Sequence, residues 1–114
     1  MPSEMDIKGR SNQLSECGIS FFATEKLTKE HGNEFPKNMD TAPILLPGED
    51  SAIRKRLMHW LSAQRIRPHI IGEFDDSALM RAFGQAGIGV FTAPTIIEDE
   101  VLQQHNVIKL GQTD

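Results

Sequence analysis

The feature that most constrains this chain is a unit that occurs more than once: a short apolar strand, a turn rich in acids and hydroxyls, then the start of a helix. It is clearest in Ile44-Leu45-Leu46-Pro47-Gly48-Glu49-Asp50-Ser51 and returns in Ile70-Ile71-Gly72-Glu73-Phe74-Asp75-Asp76-Ser77. Strands alternating with helices imply right-handed crossovers and an α/β fold, here a mostly parallel five-stranded sheet with helices on both faces. In such sheets ligands sit beyond the carboxyl ends of the strands. The loops along that edge are where function is expected.

Composition narrows the classes. A chain of 114 residues forms one domain around one core. Its net charge of -4 argues against a nucleic-acid surface, which needs clustered Lys and Arg to displace counterions. The single cysteine, Cys17, excludes an internal disulfide and a metal site of paired thiolates, and points to a reducing, cytoplasmic setting. No apolar run approaches the roughly 18 residues of a membrane span. Met1-Pro2-Ser3-Glu4-Met5-Asp6 also lacks the basic start and apolar stretch of a secretion signal, so no membrane partner is expected.

Along the chain, residues 1 to 16 are polar and without periodicity, and read as a lead-in or linker. Ile19-Ser20-Phe21-Phe22-Ala23 suits a buried strand, after which Thr24 can cap a short helix that Gly32 would end. Residues 33 to 43 read as a loop, with Pro36 and Pro43 restricting it. Ile44 to Leu46 form a second strand. Asp50 or Ser51 then caps a helix with apolar residues at Ile53, Leu57, Trp60 and Leu61. Strand three runs from His69 to Phe74, and Asp76 caps the next helix, which Gly87 ends in a left-handed turn. Ile88 to Phe91 give strand four. Thr95 and Glu98 have capping-box spacing ahead of a third long helix that ends near His105, and Val107 to Leu110 close a fifth strand.

Glu49, Asp50, Glu73, Asp75 and Asp76 have two readings. Acids near helix N-termini are favoured by capping and by the helix dipole. Gathered at one sheet edge, they would also offer oxygen donors to a hard cation or an ammonium group. The helix starts at Ser51, Ser77 and Thr95 present free N–H groups that suit an anion instead. His31, His59, His69 and His105 lack metal-ligand spacing, and Cys17 has no base beside it. Arg54, Lys55 and Arg56, with Arg65 and Arg67, read as the solvated face of one helix and the charge at its end. Neither a catalytic constellation nor a metal site is visible, and no cofactor is expected.

The runs Ala42 to Ser51, Gly72 to Gly84 and Gly87 to Pro94 resemble the effector-binding region of LysR-type transcriptional regulators, and within it the NhaR group, activators of sodium/proton antiporter genes. Gly72-Glu73-Phe74-Asp75-Asp76-Ser77-Ala78-Leu79-Met80 is the most specific part. The likeness covers about residues 14 to 111. It implies a single lobe of a type-II periplasmic-binding-protein-like fold. Residues 17 to 114 would be the second lobe, residues 1 to 16 a hinge segment from a first lobe, and the helix-turn-helix domain would lie outside this chain.

By the same resemblance, a small effector or cation binds in the cleft between lobes, against Gly48, Glu49, Asp50 and Ser51, against Phe74, Asp75, Asp76 and Ser77, and against Ala93, Pro94 and Thr95. DNA is contacted only through the absent helix-turn-helix domain. The intact regulator is a homo-oligomer, with Ile71, Leu79, Met80 and Phe83 as contacts. The other class consistent with the residues is a stand-alone small-molecule-binding α/β module or a fragment of an α/β enzyme. A phosphate-accepting receiver fits poorly, because Asp75-Asp76 comes too late in the chain.

Overall fold

The computed structural model describes residues 18–31, 34–49 and 51–113. Asp50, Cys17, Gly32 and residues 1 to 16, all of which carry expectations above, lie outside the described residues. The elements are β1 (Ile19–Ala23), α1 (Glu25–His31), a 3-10 turn (Lys37–Asp40), β2 (Pro43–Pro47), α2 (Ala52–Ala63) and β3 (His69–Phe74). They continue with α3 (Ser77–Gln85), β4 (Phe91–Pro94), a second 3-10 turn (Thr95–Ile97), α4 (Glu98–Gln104) and β5 (Ile108–Gln112).

The single, mostly parallel sheet is corrected. The strands form a three-stranded antiparallel sheet, β4-β1-β5, and a parallel pair, β2-β3. One parallel bridge, Ile44 with Val90, ties the two together. Both β4 and β5 run antiparallel to β1, so the carboxyl ends of β2, β3, β4 and β5 share one edge and β1 begins there. Alternation of strand and helix predicts parallel neighbours, but β1 pairs with strands that arrive about 70 to 90 residues later (Ile19 opposite Pro94, Ser20 opposite Gln112) rather than with β2. Its five residues are all buried, as befits a strand between two others.

Helices do cover both faces, and alternation within each strand shows how. Ile19, Phe21 and Ala23 of β1, with Ile44 and Leu46 of β2, pack with Leu27 of α1 and Leu57 and Leu61 of α2. Phe22 and Leu45 point the other way, to Met80 of α3 and Val101 of α4. The stretch read as a loop before β2 joins this core: Met39 is fully buried and Phe35 packs against the first cluster.

Local chemistry sets the helix ends. Ser51 Oγ accepts from Ile53 N at 3.2 Å, and Thr24 Oγ1 from Leu27 N at 3.2 Å. Gly87 takes φ 85° after α3, where a side chain would be strained. The capping box at Thr95 does not form: α4 has no side-chain cap, spans seven residues and is preceded by the 3-10 turn.

Candidate functional site

The turns after β2 and β3 are drawn together by the parallel ladder between the strands, Gly48 N donating to Phe74 O at 2.8 Å. Beyond these ends lies a cavity of about 440 Å³ lined by Pro47, Gly48, Ser51, Phe74, Asp75 and Ser77. Asp75 lies across the face of Gly48, and a β-carbon at position 48 would collide with its Oδ1. A glycine is thus required there for close approach rather than for a left-handed turn. On the outer side Arg54 Nη1 donates to Pro47 O at 3.3 Å and pairs with Glu73 at 3.4 Å.

Of the expected effector residues, Gly48, Ser51, Phe74, Asp75 and Ser77 therefore surround one cavity. Glu49 is exposed beside it. Asp76 is occupied as the cap of α3, its Oδ1 accepting from Ala78 N at 2.9 Å and Leu79 N at 3.4 Å. Ala93, Pro94 and Thr95 end β4 on the same edge but do not line this cavity, and the Ala93 side chain is buried in the second core cluster. Among the described residues Glu73 does not join Asp75 at the cavity but pairs with Arg54. Among the described residues no group of three or more His, Cys, Asp or Glu side chains is placed to hold a metal ion.

Thr95 instead belongs to a polar chain that sequence reasoning missed. Thr95 Oγ1 and the fully buried Ser20 Oγ are 2.8 Å apart. Ser20 Oγ donates to Glu98 Oε1 at 3.0 Å, and Lys109 Nζ donates to the same oxygen at 2.9 Å. The Lys109 hydrogen bond holds the Glu98 carboxyl below the usual carboxylate range, against partial desolvation that pushes it up. Only a polar serine within the otherwise apolar Ile19 to Ala23 run hinted at this.

The expected contact residues divide. Ile71 is 43% exposed, Leu79 48% and Phe83 38%. They lie on the outer strand β3 and on α3, where Leu79 and Phe83, one turn apart, make an exposed apolar face; Ile70 and Ile88 are exposed as well. Met80 is instead 3% exposed and packs in the second core cluster, because with Gly84, four residues on, it lies on the part of α3 turned to the core.

An α/β sheet covered on both faces, with a polar cavity beyond the ends of parallel strands, is the architecture of a ligand-binding domain. The chain belongs to the LysR substrate binding domain family, which matches residues 27–113. That is a family of binding domains and not of enzymes. The transcriptional activator protein NhaR of Escherichia coli (strain K12) is 33% identical over 104 residues, which cover 91% of this chain and 34% of that protein. The protein of the same name in Shigella flexneri matches equally. This chain therefore spans about a third of the length of these relatives.

Solved structures agree on the fold. The effector binding domain of QuiR in complex with shikimate superposes with a TM-score of 0.69 at 14% identity, covering 83% of this chain and 44% of that one. CbnR, a LysR family transcriptional regulator, gives 0.65 at 11% identity, covering 82% and 32%. Among the described residues no helix is long and apolar enough to cross a membrane.

Proposed function

We propose that this chain is the effector-sensing second lobe of a LysR-type DNA-binding transcriptional regulator, one that activates antiporter genes in response to sodium. The carrying observation is the cavity between Gly48, Ser51, Phe74, Asp75 and Ser77 in a chain of this family. Residues 17 to 114 form the lobe and residues 1 to 16 lead in from the first lobe. The effector, a small molecule or cation, sits between the lobes, and DNA is reached through a separate helix-turn-helix domain in a cytoplasmic homo-oligomer. The similarity to NhaR favours the sodium response, and the carboxylate of Asp75 is the kind of hard oxygen donor a small cation takes.

Mechanistically, an effector touching both lobes favours their closed arrangement by its differential affinity for it. A route outward from the cavity runs through aromatic packing. The Phe74 ring at the cavity lies 5.0 Å from that of Phe83, which belongs to the exposed apolar face. We place the contact with a second copy on that face, through Ile71, Leu79 and Phe83.

The test is to place residues 18–113 in E. coli NhaR in place of the matching stretch and to follow a promoter reporter as sodium or potassium is raised. Sodium-specific induction is expected. A chimera that folds and binds the promoter but ignores sodium overturns the proposal of a sodium effector. One that responds, but keeps full response after Asp75→Asn, overturns the assignment of the cavity.

A further inference from the structure

A larger cavity, about 530 Å³, lies along the flank of α2 and has no part in the site above. One wall is the helix stripe Lys55, Arg56, His59, Trp60 and Ala63, whose spacing places all five on one face. The other wall is Ile19 at the start of β1 and Thr113 after β5. These two are locked together, Ile19 N donating to Thr113 Oγ1 at 3.0 Å and Thr113 N to Ile19 O at 2.9 Å.

Trp60 is held from behind by two rings, Phe21 at 5.3 Å and Phe35 at 5.7 Å, the latter nearly parallel at 18°. The indole is therefore a fixed platform rather than a mobile surface group. Lys55 and His59, both exposed, flank it, and among the described residues no carboxylate lines the cavity. The volume falls in the range of small-molecule pockets, roughly 300 to 1,000 Å³, which are mostly apolar with a few convergent polar groups. Its charge is opposite to that of the cavity at Asp75, so the two select different ligands.

We propose that this flank is a second ligand site, for small aromatic carboxylates, with the ring against Trp60 and the carboxylate toward Lys55 and His59. Both parts are needed: the indole offers a face for a ring, and the bases select an anion over its neutral counterpart. The solvated-face reading of these bases accounts for their charge but not for a preformed aromatic floor between them.

Trp60 is the only tryptophan of the chain, so the emission comes from the floor of this cavity. The probes are phenylacetate, its neutral amide phenylacetamide, and acetate, each titrated into the 114-residue protein. Phenylacetate should change the emission saturably, with the amide and acetate at least about tenfold weaker. Exchanging both Lys55→Gln and His59→Gln should weaken phenylacetate about fivefold or more, with the thermal midpoint unchanged because both side chains are exposed. Asp75→Asn should leave this binding as it is, which keeps the result separate from the fate of the strand-end cavity. A flat titration, an amide or acetate that binds as well as the acid, or indifference to the double exchange each overturns the proposal.

Discussion

Asp75 and Asp76 are neighbours in sequence with the same side chain, and the structure gives them different work. Asp76 satisfies two amides at the start of α3, while Asp75 makes no hydrogen bond among the described residues and lies over Gly48 at the cavity. Losing an N-cap acceptor costs about 1 kcal/mol, so Asp76→Ala should lower the thermal midpoint by about 4 to 8 °C for a domain of this size. Asp76→Asn keeps the acceptor and gives up only the charge near the helix start, a loss of a few tenths of a kcal/mol at an exposed position. Asp75→Asn removes no structural contact and should stay within about 0.5 kcal/mol of the parent. In the NhaR chimera the ranking inverts: Asp75→Asn abolishes sodium-specific induction and Asp76→Asn keeps it. The stability half is read by urea and thermal unfolding of the chain, the response half by the reporter. The reasoning fails if Asp75→Asn destabilises as much as Asp76→Ala, or if Asp76→Asn silences a fully folded chimera.

Three further outcomes follow from particular contacts. Gly84→Ala gains about 1 kcal/mol of helix propensity, yet its β-carbon would enter the ring of fully buried Phe91, stacked on Phe22 at 5.4 Å; net destabilisation of about 1 to 2 kcal/mol in urea unfolding is expected, relieved by adding Phe91→Leu. Glu98 titrates lower in the folded chain than its ordinary 4.5, so its contribution is fully present above that pH and is lost as pH falls through the folded value; Lys109→Met should flatten the acid limb of a stability profile below about pH 4.5. Leu79→Glu with Phe83→Glu should leave the chain folded, both positions being exposed, and shift an intact regulator carrying this lobe toward monomer in sedimentation, whereas Met80→Glu should unfold it.

What the sequence revealed of the fold was what depends on neighbours in sequence. Strand β3 runs from His69 to Phe74 as expected, Ser51 and Asp76 cap their helices, and Gly87 stops α3, because caps and left-handed turns involve residues within a few positions of one another. Strand order and sense escaped it. The place of β1 between β4 and β5 is settled by pairings such as Phe21 with Thr92 and Ser20 with Gln112, and nothing in the alternation of Ile19 to Ala23 names a partner. Gly84 and Gly111 looked unremarkable along the chain and matter only because Phe91 and Phe35 come against them in the fold.

At the candidate site the same division separates residues of like chemistry. Gly48, Ser51, Phe74, Asp75 and Ser77 were expected from the family resemblance, and the parallel pairing of β2 with β3 brings the two turns that carry them to one cavity. Glu73 and Glu98 carry the same acid and the same promise by composition, but each is paired with a cation of the adjoining element, Arg54 or Lys109, and so belongs to the scaffold. The capping box at Thr95 fails for that reason: Ser20, 75 residues away, engages Thr95 and also donates to Glu98. An acid in a turn therefore counts as a ligand candidate only after its long-range partners are known. By that standard Asp75, unpaired among the described residues and facing the cavity, is the acid on which the sensing proposal depends.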